Sequence, residues 1–138
     1  MRNLVEKYTK DFLAHQPADG VTPHGRVVLV TGTTGAIGSN TLAELHKSPY
    51  VAKIVVLARR SITPISVRQK KGLEDRGLDP SIVDSPKIVL LEGDPALPGF
   101  GLEDDILSEL RLIITHILHI GMWEEACSVL KLTFYLPI

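Results

Sequence analysis

Twelve consecutive residues at positions 27–38, Val-Val-Leu-Val-Thr-Gly-Thr-Thr-Gly-Ala-Ile-Gly, constrain this chain more than any other feature. Positions 27–30 are apolar without a break, which suits a strand buried on both faces of a parallel sheet better than a half-exposed one. Gly32, Gly35 and Gly38 then follow at three-residue spacing. The first lets the chain turn sharply off the strand, and the second leaves room for a phosphate to approach the backbone. The third lets the following helix pack close on the sheet. Free amides and the positive end of the helix dipole converge on one place, which suits an anionic diphosphate. Strand, glycine triplet and amphipathic helix in this order form the dinucleotide-binding fingerprint. The phosphate loop of nucleoside triphosphatases is disfavoured, because Ser39 follows Gly38 and no lysine stands at the helix start. The alternative is a plain glycine turn in another kind of α/β protein.

The chain has 138 residues, enough for one domain that buries about two thirds of its unfolded surface. Its formal net charge is −1 and its basic residues form no long block, so no general electrostatic grip on nucleic acid or membrane is expected. The single cysteine, Cys127, cannot close an internal disulfide. The first 13 residues are charged and lack an apolar core segment, so no secretory leader is expected and a cytoplasmic setting is the default. No apolar run approaches the roughly 20 residues of a membrane helix.

Residues 1–14 space Leu4, Val5, Tyr8, Phe12 and Leu13 as a short amphipathic helix, and 15–24 read as a linker. The predicted nucleotide-binding half-domain covers 25–121, and 122–138 form a divergent tail in which helix and strand cannot be separated by period. A helix over 37–46 stops before Pro49, and a Val- and Ile-rich strand spans 51–57. That strand leads into Arg59 and Arg60. A cofactor with a free ribose 2′-hydroxyl is usually held by an acid at this strand tip, about 20 residues past the glycines. Two guanidinium groups stand there instead, and a planar, permanently charged fork suits a 2′-phosphate, so the reading is NADP(H) rather than NAD(H). The alternative is that one or both arginines are simply solvated at a strand end.

A second helix is expected over 65–77, capped by Gly77, then a connection over 78–86 and a third strand over 87–92. Asp94, just past that strand, is placed to accept from an adenine amino group or, equally, to cap a turn. A third helix over 102–112 carries Glu103, Asp104 and Asp105 at its start, where the helix dipole favours acids. A fourth strand is expected over 113–120. His116 and His119 would then fall on opposite strand faces, and no metal site is expected from them. Four strand-helix alternations predict an α/β fold, a Rossmann-like doubly wound parallel sheet of order 3-2-1-4. Its crevice would lie between strands one and four, and the apolar edge of strand four invites self-association.

Five segments carry a family resemblance: Val28-Leu-Val-Thr-Gly-Thr-Thr-Gly-Ala-Ile-Gly38, Leu57-Ala-Arg-Arg60, Arg76-Gly-Leu-Asp-Pro80, Lys87-Ile-Val-Leu-Leu-Glu-Gly-Asp94 and Thr115-His-Ile-Leu-His119. With them the chain resembles the start of the thioester reductase domains of the extended short-chain dehydrogenase/reductase superfamily. These domains close many fungal adenylation-carrier-reductase enzymes and are related to carboxylic acid and aminoadipate reductases. The resemblance implies NADPH binding and hydride transfer that releases a carrier-bound acyl thioester as an aldehyde or alcohol. It assigns Gly32, Thr34, Gly35, Ala36, Ile37 and Gly38 to the diphosphate, Arg59 and Arg60 to the 2′-phosphate, and Asp94 to the adenine.

The chain also departs from that pattern. His119-Ile120-Gly121 stands where the family usually continues His-Asn-Ala, and Pro95 removes a backbone donor beside Asp94. The superfamily's Tyr-x-x-x-Lys pair is missing, since Tyr8 is followed four residues on by Phe12, Tyr50 by Ile54, and Tyr135 by no residue. No catalytic residue is therefore assigned. The expectation is an NADP(H)-binding portion that is incomplete for catalysis alone, partnered by an acyl-carrier domain or the remaining reductase half. The alternatives are a non-catalytic NADP(H)-binding or protein-interaction module, and a non-functional truncated remnant.

Overall fold

The computed structural model describes residues 25–94 and 97–121. The expected N-terminal helix and linker, Pro95, and the tail from 122 lie outside the described residues. Four strands, β1 (Arg26–Thr31), β2 (Val51–Arg59), β3 (Ile88–Gly93) and β4 (His116–His119), form one sheet. All pairings are parallel and the order is β3-β2-β1-β4, the predicted topology. Among the described residues the helices are α1 (Ala36–Lys47), α2 (Ile65–Glu74) and α3 (Asp104–Ile113), and two 3₁₀ turns span Pro80–Asp84 and Pro98–Gly101.

The unbroken apolar run in β1 is explained by cover on both faces. Val28 and Val30 join Ile54, Val56, Ile88 and the α1 residue Leu42 on one face. Leu29 joins Val55, Leu57, Phe100 and the α3 residue Leu110 on the other. Successive strand side chains alternate in direction, so a strand covered on both sides needs an apolar residue at each position. Burying such a side chain contributes about 1.5–3 kcal/mol. In β4 the pattern differs, because His116 and Leu118 are exposed while Ile117 and His119 are half-buried.

Several boundaries shift from the sequence reading. β4 is shorter than the expected 113–120, because Ile113 completes α3 and the strand starts at His116, just after the Thr115 N–H bonds the Val27 carbonyl at 2.9 Å. Helix α2 ends at Glu74. The Leu78 N–H then bonds the Leu73 carbonyl at 2.9 Å, with Gly77 at φ +68° allowing the reversal. The expected connection over 78–86 contains the 3₁₀ turn at Pro80–Asp84, started by Asp79, whose carboxylate accepts from the Ser81 N–H at 2.9 Å. Strand β2 continues two residues past the predicted Leu57, so Arg59 is its last paired position, opposite Gly93.

Candidate functional site

The turn between β1 and α1 is made by main-chain close approach. Gly32 adopts φ +74°, and a Cβ there would stand 2.6 Å from the Gly121 nitrogen. At Gly38 a Cβ would stand 1.9 Å from the Gly32 carbonyl oxygen and 2.6 Å from the Thr33 Cα. The helix therefore starts directly beneath the turn. At Gly35 the nearest atom to such a Cβ is 3.8 Å away, so the outer side of the turn is open. Ser39 N–H makes the first main-chain bond of α1, to the Gly35 carbonyl at 2.9 Å, and Gly35 supplies no side-chain cap. By helix geometry the N–H groups of Ala36, Ile37 and Gly38 have no carbonyl within the helix. Gly35, Ala36 and Ile37 are exposed, Thr34 is half-exposed and Gly38 is buried, so an acceptor can reach the open end of the helix. The arrangement fits a diphosphate.

The turn is held from within by residues that sequence reasoning missed. The Thr33 hydroxyl donates to Gln69 Oε1 at 2.6 Å, and Gln69 Nε2 donates to the Thr33 carbonyl at 2.9 Å. The Ser39 hydroxyl donates to the same carbonyl at 2.9 Å. All three residues are buried. No local signal marks Gln69, since a glutamine among charged helix residues reads as solvated.

Arg59 and Arg60 lie at the β2 end, both exposed. Arg60 Nη2 donates to the Gly101 carbonyl at 3.3 Å, and its backbone N–H bonds the Gly93 carbonyl at 3.1 Å. Arg68, also unassigned from sequence, spans this corner. Its Nη2 donates to the Arg59 carbonyl and to Glu92 Oε1, both at 2.8 Å, and its Nε donates to the Thr63 carbonyl at 2.9 Å. Glu92 Oε1 also accepts from the Ile65 N–H at 3.0 Å, at the positive end of α2. Thus the acid at the tip of β3 is occupied by Arg68 and by a helix end.

Asp94 follows β3 and is half-buried, its N–H bonding the Phe100 carbonyl at 2.7 Å. Phe100, at φ +59° and buried, folds the loop back so that Asp94 and the Arg60 partner Gly101 sit at one end of the sheet. That loop position also explains Gly93, where a Cβ would stand 2.7 Å from the Phe100 oxygen. His119 lies opposite Thr31 where the strand order reverses, its Nδ1 2.6 Å from the Thr31 hydroxyl, whereas the exposed His116 meets Thr115 at 2.8 Å. The nine residues expected at the cofactor thus fall at the C-terminal ends of β1, β2 and β3 and at the start of α1. A shallow surface groove of about 610 Å³ on α1, lined by Ala36, Ile37, Asn40, Thr41, Glu44 and Leu45, begins at this site and runs away from it.

A parallel 3-2-1-4 sheet with a glycine turn at its switch point defines a nucleotide-binding α/β protein of the Rossmann kind. Residues 30–123 match the NAD-binding family model described as "Male sterility protein". The chain is 47% identical over 121 residues to the adenylate-forming reductase Nps10 of Heterobasidion annosum, covering 86% of this chain and 11% of that protein. It is 37% identical over 121 residues to the citrinin polyketide synthase of Monascus ruber, covering 83% of this chain and 5% of that protein. Among solved structures, the terminal R domain from the myxalamid PKS-NRPS biosynthetic pathway superposes with TM-score 0.62 at 35% identity, over 75% of this chain and 26% of that one. The chain belongs to this NAD-binding family, as the NAD(P)-binding portion of a thioester reductase domain. It spans about a tenth or less of the length of these curated relatives.

Proposed function

We propose that this chain is the NADP(H)-binding portion of a thioester or carboxylic acid reductase that releases carrier-bound acyl groups as aldehyde or alcohol. The observation that carries the choice of NADP(H) is the pair of exposed guanidinium groups, Arg59 and Arg60, at the tip of β2 where a 2′-hydroxyl reader would be acidic. Glu92, an acid at the end of the neighbouring strand, is engaged by Arg68 and the α2 amide. In this reading the amides of 35–38, with Gly32 and Thr34 shaping the turn, hold the diphosphate. Arg59 and Arg60 hold the 2′-phosphate, and Asp94 accepts from the adenine amino group. Bound NADPH supplies the hydride. The turn's amides orient the cofactor through its diphosphate, and the arginines select it from NADH.

The 138 residues contain no tyrosine with a lysine four positions on. The proton donor of the reaction is therefore assigned to further polypeptide, the remaining reductase half, with an acyl-carrier domain delivering substrate in the cytoplasm. A second reading, a module that docks a partner or a second copy of itself, is favoured by the β4 edge, where Leu118 is 38% exposed. Titration calorimetry of the purified chain with NADPH and NADH tests the first reading. Binding that favours NADPH supports it, and equal affinities overturn the 2′-phosphate assignment. No binding by a folded chain overturns the cofactor role and leaves the docking module.

A further inference from the structure

Helix α2 touches the glycine turn at two positions one helical turn apart. Gln69 is wholly buried, and a single residue, Thr33, satisfies both ends of its carboxamide. The orientation of that amide is dictated by chemistry. The Thr33 carbonyl can only accept, so it must face the Gln69 NH₂, and the hydroxyl must then donate to Oε1. The carbonyl takes a second bond from Ser39, which uses both its lone pairs. At Gly72 a Cβ would stand 2.9 Å from the Thr34 oxygen, so the helix bears on the next peptide of the turn as well. Beside Gln69 on the same helix, Arg68 grips the β2 end that carries Arg59.

An apolar side chain of similar length would fill the volume that Gln69 occupies. What it would not do is fix the direction of the Thr33 carbonyl, and with it the peptide planes that follow. A turn with glycine at two of its four positions, 32–35, otherwise has wide conformational freedom, which a ligand would have to quench on binding.

We infer that Gln69 is the positioning residue of the diphosphate turn: it holds the backbone of 33–35 in the binding conformation before any ligand arrives. Through α2 it also links that turn to the corner braced by Arg68. The inference rests on the proposed cofactor reading for its ligand and on the hydrogen bonds alone for its mechanics.

The test uses the full chain with three variants: Gln69→Met, Thr33→Val and the double variant. Probes are NADPH, adenosine 2′-monophosphate, which lacks the diphosphate, and amide hydrogen exchange of the ligand-free protein. Gln69→Met should bind NADPH about tenfold more weakly and adenosine 2′-monophosphate within about twofold of wild type. It should also melt lower, because the Thr33 hydroxyl is left buried without an acceptor. The double variant removes that hydroxyl and should recover most of the melting temperature, but none of the NADPH affinity. Exchange of the Ser39 amide, whose acceptor is the Gly35 carbonyl of the turn, should rise several-fold in both. Should Gln69→Met fail to fold, the double variant carries the same comparison. Recovery of NADPH affinity in the double variant, an equal loss for both ligands, or unchanged exchange would each overturn the inference. Failure of the wild-type chain to bind NADPH overturns the cofactor reading instead, and the exchange measurement still decides the role of Gln69.

Discussion

The two ends of the candidate cofactor site are built from different materials. At the end formed by 32–38, main-chain amides are proposed to meet the ligand, and the side chains of Thr33, Ser39 and Gln69 are buried behind them. At the end formed by Arg59, Arg60 and Asp94, side chains are proposed to meet it, and both arginines are exposed. A backbone site depends on space: any atom added at Gly32 or Gly38 strikes main chain. A side-chain site depends on charge, carried here by Arg59, Arg60 and Asp94 at the strand ends. The first end should therefore govern whether any dinucleotide binds, and the second which one.

The largest effect expected is at Gly38→Ala. The new Cβ would meet the Gly32 carbonyl oxygen at 1.9 Å and the Gly32 carbonyl carbon at 2.6 Å, and neither atom can rotate away. A loss of about 3 kcal/mol or more is expected in thermal or urea unfolding. A wild-type melt would mean that the turn slides easily, and the contrast between a rigid and a tolerant end would collapse.

Next is Arg59→Ala. Removing one charge-assisted contact to a 2′-phosphate should weaken NADPH about tenfold or more while leaving NADH within about twofold, with little change in melting. The same titration sharpens the comparison, since a matching loss for NADH would mean that Arg59 supports the fold rather than the choice of cofactor.

The smallest effect is a control outside both ends. Hydrogen bonds from the Ser81 hydroxyl and then the Ser81 N–H hold the Asp79 carboxyl below its ordinary 3.8. A carboxylate with a lowered folded pKa stabilises above its unfolded value, and that contribution disappears as pH falls through the folded one. Melting of wild type and Asp79→Asn should therefore differ slightly at neutral pH and converge below 3.8. Nucleotide affinity should be the same for both at every pH where the chain is folded.

Much of the fold is legible in the residues. An apolar run such as 27–30 has no solvated face to offer, so it announces a central parallel strand, and three glycines at fixed spacing announce what the chain does next. The order 3-2-1-4 follows from alternation and from the handedness of crossovers. Boundaries were less legible. Ile113 reads as strand by its neighbours Ile114 and Ile117, yet it closes α3 on the core, because the helix needs an apolar last turn just where the strand pattern begins.

In the candidate site, the residues proposed to face a ligand are read from sequence, because exposed turn amides, guanidinium forks and a carboxylate at strand ends suit the parts of a dinucleotide. The residues behind them are not. Gln69 and Arg68 sit in a polar, basic helix with nothing in their spacing to distinguish them, and their partners Thr33 and Glu92 are 36 and 24 residues away in the chain. Sequence by itself determined the strand-turn-helix unit, its topology and the charge at the β2 tip, since these follow from local sterics, period and residue chemistry. Only the tertiary structure decided which polar side chains would be buried against the turn. Burial of a polar group is set by what surrounds it and whether that neighbour returns a hydrogen bond, and both are long-range facts.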